Sequence, residues 1–178
     1  MRTYNRTCKH PHLLWIGITL LGIILDMVTK SIVERTMDLG ESIPIIRGVL
    51  HIRHWENTGA AFGILSEQRW VFLTVSTLTI ICLIVFLLRT RSRDPLMLSA
   101  LAMVLSGGIA NMIDRVLLGY VVDMIDFCLI DFAVFNVADS FVCVGAALLF
   151  LAVLFEAREE LPTAADTTTE PSYDEQDK

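Results

Sequence analysis

The chain has 178 residues, of which 54% are hydrophobic, and its mean hydropathy is +0.59. A water-soluble domain of this length rarely carries so much apolar surface, so an integral membrane protein is the first hypothesis. Residues 156–178 hold eight acidic and two basic residues, which accounts for the whole net charge of −6 and leaves no basic surface for a nucleic-acid partner.

Four apolar stretches are long enough to cross a membrane. A helix rises about 1.5 Å per residue and the hydrocarbon core is about 30 Å thick, so about 20 residues suffice. Asp26 and Lys30 interrupt the first stretch, and Asn136 and Asp139 open the fourth. We predict an all-α membrane protein whose domain, residues 13–155, is one four-helix bundle. The predicted spans are 13–33, 70–88, 96–118 and 136–155.

The N-terminus has a competing interpretation. Three basic residues precede the apolar run that starts at Leu13, as in a cleaved secretory signal. No small-residue cleavage site follows, and the segment continues through Asp26 to Lys30, which favours a membrane helix.

Positive charges predict the orientation, because Lys and Arg near helix ends favour the cytoplasm. They are Arg2, Arg6 and Lys9 before the first span, and Arg89, Arg91 and Arg93 between the second and third. Residues 1–12 are therefore predicted to be a cytoplasmic N-terminus, and residues 156–178 an acidic, disordered cytoplasmic tail. Segments 34–69 and 119–135 then lie on the opposite side.

The long segment between the first two spans has the pattern of strands. Leu50 to Arg53 alternates apolar and polar residues, and glycines punctuate the region from Ile43 to Ile64. Short strands at the membrane surface are predicted there rather than another span.

Ionisable residues within spans are costly, on the order of 3 kcal/mol each by insertion scales, so each needs a reason. With the predicted topology, those of this chain converge on one layer at the outer interface, which indicates a site. The polar residues of this layer are Asp26, Lys30, Asn111, Asp114, Arg115, Asp123, Asp126, Asn136 and Asp139. Two sequence pairs, Asp26 with Lys30 and Asp114 with Arg115, fit structural ion pairs as well as functional groups.

Asp123 and Asp139 have no basic residue within one helical turn in sequence. Two neighbouring carboxylates share a proton, so the pair offers an acid and a base at once, as peptide hydrolysis requires. Asn111 and Asn136 each precede an aspartate by three residues, and an amide can orient a carboxylate without adding charge. Asp114 remains a rival for one catalytic role. Serine, zinc and thiol signatures are absent, so we predict neither a metal nor another cofactor.

Five segments together resemble the bacterial lipoprotein signal peptidases, also called signal peptidase II. They occur in order across about residues 13–155. Two departures are Ala110, where the family usually has Gly, and a short link between Asp123 and Asp139. The segments are Asp26–Lys30, Asn57–Gly63, Gly108–Arg115, Gly119–Phe127 and Phe135–Asp139.

The resemblance implies an aspartic endopeptidase of the bacterial inner membrane that cuts prolipoproteins before a diacylglyceryl-modified cysteine. It implies a small extracytoplasmic β-cradle between helices 1 and 2, an active site near the outer face, and inhibition by the cyclic peptide globomycin. By matching positions, Asp123 and Asp139 form the catalytic dyad. The residues expected to position the substrate or support the dyad are Asn57, Asn111, Arg115, Asn136, Asp26, Lys30 and Asp114.

Two other functions use the same residues. A proton- or cation-coupled transporter would bind its ion with these aspartates and asparagines, but four spans without an internal repeat fit that class poorly. A non-enzymatic membrane subunit would use the charges for assembly, which the unpaired aspartates disfavour. We expect a monomeric enzyme acting on prolipoproteins among membrane lipids.

Overall fold

The structure is a computed structural model that describes residues 9–59 and 69–160. Most of the predicted cytoplasmic N-terminus, the end of the predicted strand region, and the predicted acidic tail beyond residue 160 lie outside the described residues. Within them, four helices are long and apolar enough to cross a membrane, which confirms the predicted architecture. They are α1 Pro11–Thr36, α2 Arg69–Arg89, α3 Pro95–Leu117 and α4 Val137–Glu160.

Local chemistry sets where the helices begin. Pro11 and Pro95 occupy first-turn positions of α1 and α3, where the missing N–H of proline has no cost. The Asp94 carboxylate accepts hydrogen bonds from the backbone amides of Leu96 and Met97 and so caps α3. The link from α2 to α3 is short, so the two helices are antiparallel neighbours.

Helix α3 lies at the centre of the bundle. Half of the most apolar 18-residue stretch of α3 is buried, whereas only 6% of the corresponding stretch of α2 is buried. The surface of α2 therefore faces lipid. Glycines bring the helix backbones together: Gly107 packs on the backbone of Ala138 in α4, and Gly145 packs on the backbone of Ala100. Gly22 of α1 instead leaves room for the side chains of Ser106 and Phe141. Small residues permit this close approach, which membrane helices need because lipid supplies no hydrophobic drive for association.

A three-stranded antiparallel sheet lies at one end of the bundle, in the order β1 (Ser42–Ile46), β2 (Leu50–Asn57) and β3 (Val121–Asp126). The short strands predicted between the first two helices are confirmed, and they are β1 and β2. The third was not predicted, because it comes from the α3–α4 connection. Its side chains are buried on both faces, so the segment shows no alternation, and Val122 and Met124 pack with Val33 and Met37 of α1 and its C-terminal cap.

Candidate active site

Asn136 and Asp139 form a capping box at the start of α4. The Asn136 Oδ1 atom accepts the backbone N–H of Asp139 at 2.9 Å, and the Asp139 Oδ2 atom accepts the backbone N–H of Asn136 at 3.3 Å. The Asn136 carbonyl also accepts the Ser140 backbone N–H, as an N-cap carbonyl does. The Asn-x-x-Asp spacing thus holds the Asp139 carboxylate at a helix N-terminus, where the helix dipole favours negative charge.

Asp123 reaches the same place from strand β3. Its side chain is 1% exposed. Its Oδ1 atom accepts the Asn136 side-chain amide at 2.7 Å, and its Oδ2 atom accepts the Asn57 amide at 2.9 Å. Asn136 therefore binds both aspartates, Asp123 through its side chain and Asp139 through its backbone. The antiparallel pairing of β3 with β2, which sets Trp55 opposite Asp123, brings Asn57 within reach.

Asn111 links the aspartates to α1. Its Nδ2 atom donates to Asp139 Oδ1 at 2.7 Å, while its Oδ1 atom accepts from Asn136 Nδ2 at 3.1 Å and from Lys30 Nζ at 3.0 Å. The spacing had suggested that Asn111 serves Asp114, three residues later on the same helix. The structure instead aims its amide across the α3–α4 interface at Asp139, because α4 packs directly on this face of α3.

Lys30 lies between two carboxylates inside the bundle. Its Nζ atom is 2.6 Å from Asp26 Oδ2 and 2.7 Å from Asp114 Oδ2, and Lys30 is 3% exposed. The predicted pairing of Asp26 with Lys30 is confirmed. Asp114 pairs with Lys30 rather than with its sequence neighbour Arg115, because adjacent residues on a helix point in different directions. With its third bond to Asn111, Lys30 uses all three donors of its ammonium group.

Asp26 also caps α4 from another helix. Its Oδ1 atom accepts the backbone N–H of Ala138 at 2.8 Å, a contact between distant segments that sequence spacing does not predict. Two buried carboxylates share one ammonium here, so the partial positive charge at the start of α4 helps to balance the excess negative charge. The ion-pair network and the capping box thereby fix the start of α4, and with it the position of Asp139.

Arg115 connects the end of β2 to the bundle. Its guanidinium donates to the carbonyls of Asn111 and Gly59, at 3.3 Å each, and lies 5.0 Å from the centre of the Phe72 ring. The Gly59 backbone N–H in turn donates to Asn57 Oδ1 at 2.9 Å. Arg115 thus anchors the segment that orients Asn57 toward Asp123.

Burial raises the pKa of Asp123 to about 7. The hydrogen bond from Asn57 opposes that rise, the negative charge of Asp139 adds to it, and the amide of Asn136 opposes it again. A carboxyl group with this pKa exchanges its proton near neutral pH, as a general acid must. The nine residues that the resemblance assigns to the site therefore lie in one connected network of the described structure. Asp126, the other member of the predicted polar layer, instead lies 3.8 Å from Arg53.

Four apolar helices and a polar network gathered at one end define a polytopic membrane protein with a candidate carboxylate site. A family model described as signal peptidase (SPase) II matches residues 18–155. A lipoprotein signal peptidase of Brevibacillus brevis is 42% identical over 142 residues, which cover 80% of this chain and 95% of that protein. The Bacillus subtilis lipoprotein signal peptidase is 41% identical over 147 residues, with 82% and 96% covered.

A solved structure described as a bacterial membrane enzyme has a TM-score of 0.78 and 35% identity, and the alignment covers 84% of this chain and 92% of that one. A second structure with the same description has a TM-score of 0.72 and 37% identity, over 79% and 92%. The chain belongs to the signal peptidase II family, whose members are aspartic-type proteases that process lipoproteins.

Proposed function

We propose that this chain removes signal peptides from prolipoproteins by acid–base catalysis between Asp123 and Asp139, cutting just before a diacylglyceryl-modified cysteine. The observation that carries the proposal is the bridging position of Asn136, which hydrogen-bonds one carboxylate through its amide and the other through its backbone. One residue thus sets the relative placement of two carboxylates that come from a strand and a helix.

The two aspartates have different surroundings, which suggests different roles. Asp123 is buried in the sheet with its pKa raised to about 7, so about half of it carries a proton at neutral pH. Asp139 sits at a helix N-terminus, which stabilises its carboxylate. Asp139 then removes a proton from water, whose oxygen attacks the scissile carbonyl carbon, while Asp123 protonates the leaving amine as the C–N bond breaks. The proton held by Asp139 returns the pair to its starting state by transfer to Asp123.

The remaining residues position the dyad and the substrate. Asn57 and Asn111 each donate to one catalytic carboxylate, and Arg115 holds the end of β2. Asp26, Lys30 and Asp114 act further away, by fixing Asn111 and the start of α4. We assign Asp114 this supporting role rather than a catalytic one, because its carboxylate is engaged by Lys30.

A lipid-modified substrate fits a site at the end of an apolar bundle. Its acyl chains can lie in the hydrocarbon beside the helices, while the scissile peptide reaches the polar layer where water is present. The charge bias of the loops supports a topology with both termini in the cytoplasm and the site near the outer face of the inner membrane. The proposal also includes two expectations that come from the family resemblance: the enzyme works as a monomer, and globomycin-type inhibitors bind it.

The direct test uses purified protein and a diacylglyceryl-modified prolipoprotein, with release of the signal peptide followed on a gel. We expect Asp123→Asn and Asp139→Asn each to lower the rate by about 100- to 10,000-fold, the usual contribution of acid–base catalysis. Asp131→Asn is the matched control: Asp131 is exposed in the same α3–α4 connection, and its φ of 50° is one that asparagine also adopts.

Cleavage that survives both changes but is lost in Asp114→Asn would move the chemistry to Asp114. No cleavage by the folded parent protein would contradict the proposal as a whole.

A further inference from the structure

A cavity of about 300 Å³ lies at the end of the bundle remote from the aspartates. It opens where α1 begins and where the link joins α2 to α3, whereas the candidate active site involves the last turns of α1 and α3. At about 30 Å³ per water molecule, the cavity has room for about ten waters, and hence for a phosphate group with part of its ester substituent.

The wall of this cavity is rich in hydrogen-bond donors. Arg91 and Arg93, whose side chains end in guanidinium groups, line it from the link together with Thr90, which carries a hydroxyl group. The Thr90 oxygen accepts the backbone N–H of Ser92 at 3.2 Å, and an accepting hydroxyl still has its own proton to donate. None of the described residues that line the cavity is acidic.

Helix α1 adds a second source of positive potential to the same wall, through Pro11 and His12. No side chain caps this helix start among the described residues, and its first turn contains no acidic residue. A helix of 26 residues carries about half a positive charge at its N-terminus. The start of α3 nearby is different, since the Asp94 carboxylate already caps it.

Trp15 also lines the cavity, and its indole Nε1 atom lies behind the cavity wall, where an acceptor in the cavity reaches it only if the ring turns. This atom is buried and has no hydrogen-bond partner within residues 9–59 and 69–160. A buried donor without a partner is costly, so such a group calls for an acceptor that the described chain does not provide.

We propose that this cavity binds a phosphate group, supplied by the headgroup of an anionic phospholipid. Guanidinium groups bind phosphate oxygens in bidentate fashion, and a tryptophan one turn inside a membrane helix belongs at the headgroup level. Because the apolar surface of α1 begins at once with Leu13, the cavity lies in the layer that lipid phosphates occupy. This binding site goes beyond the proposed peptidase activity and does not depend on it.

The test compares full-length protein in nanodiscs of phosphatidylcholine with protein in nanodiscs that also contain phosphatidylglycerol. Native mass spectrometry counts retained lipids, and thermal unfolding reports stabilisation. A separate arm adds inorganic phosphate in detergent, at ionic strength matched with chloride. The variants are Arg91→Gln and Arg93→Gln. Arg89→Gln is the matched control, because it removes one exposed charge near the same link from a residue that does not line the cavity.

We expect the parent protein and Arg89→Gln to retain phosphatidylglycerol, and each cavity variant to bind it about tenfold more weakly, as the loss of one charge-assisted hydrogen bond predicts. Stabilisation by phosphatidylglycerol alone identifies the lipid as the source, while stabilisation by inorganic phosphate as well supports a site for free phosphate too. Equal behaviour of all three variants, equal retention of phosphatidylcholine, or no binding of either probe would overturn the proposal.

Discussion

Asn136 donates its side-chain amide to Asp123 Oδ1 at 2.7 Å and its backbone amide to Asp139 Oδ2 at 3.3 Å. The same asparagine also begins α4, since its Oδ1 atom accepts the Asp139 backbone N–H. One residue thus combines a helix cap with a bridge between the two aspartates of the proposed dyad, and substitution can separate the two roles.

We expect Asn136→Ser to retain most of the stability and lose most of the activity. Serine replaces asparagine well as an N-cap, but it lacks the amide that reaches Asp123. Loss of a hydrogen bond to a charged group, about 1.5–3 kcal/mol, predicts a rate about 10- to 100-fold lower. The measurements are prolipoprotein cleavage and thermal unfolding in detergent. Asn136→Ala, which loses the cap as well, serves for comparison; equal activity of the serine variant and the parent would contradict the bridging role.

The rate should fall as pH rises through about 7. In the proposed mechanism Asp123 must be protonated to act as the acid, and its pKa is raised to about 7. Asn57→Ala removes a hydrogen bond that lowers this pKa, so the alkaline limb of the pH–rate profile should move to higher pH. An alkaline limb that does not move in Asn57→Ala would argue against Asp123 as its source.

Protonation of Asp123 also makes the stability of the folded protein depend on pH. The folded-state pKa of Asp123 lies above the unfolded value of about 3.9. The stabilisation of the folded state by protonated Asp123 is therefore fully present below about pH 4 and is lost as pH rises through about 7. Unfolding of the parent and of Asp123→Asn at several pH values checks this. We expect the asparagine variant to gain stability relative to the parent as pH increases.

Lys30→Met should be strongly destabilising. It leaves the buried carboxylates of Asp26 and Asp114 without their ammonium partner, at a cost of about 3–5 kcal/mol. The combined variant Lys30→Met, Asp26→Asn, Asp114→Asn removes the uncompensated charge and should recover much of the stability. Thermal unfolding of both proteins in the same detergent measures the difference. Recovery of folding without recovery of full activity would fit a positioning role for Lys30 through Asn111.

Alanine substitutions at two adjacent glycines of α3, Gly107 and Gly108, form a matched pair of variants. A Cβ atom at Gly107 would collide with the Ala138 carbonyl, whereas one at Gly108 would make an ordinary contact with Ile80 at 3.6 Å. We expect Gly107→Ala to cost about 1–3 kcal/mol and to reduce activity, because it separates α3 from the start of α4. Gly108→Ala should be close to neutral. Unfolding and cleavage assays on both variants check the prediction, and a neutral Gly107→Ala would show that the helix contact is not essential.

Much of the site was accessible from sequence, because polar residues in apolar spans are few and each needs a reason. The four spans followed from length and hydropathy, and the depth of the polar residues along those spans indicated one layer. Within that layer the sequence paired Asp26 with Lys30 correctly, since four residues separate them on one helix face. It also identified the Asn136 and Asp139 spacing, although not as a capping box.

The tertiary structure decided the contacts between elements. Strand β3 is recognisable only once β2 and α1 cover it, because a segment buried on both faces lacks alternation. The partners of Asn111 and Asp114 depend on which helices pack together, and that packing is set by Gly107 and Gly145 rather than by local spacing. By itself, the sequence determined a four-span membrane protein with a layer of carboxylates and amides, since span length and the cost of burying charge are local properties. Only the folded chain determined that one asparagine joins the two aspartates, because a contact between a strand and a helix depends on how distant segments pack.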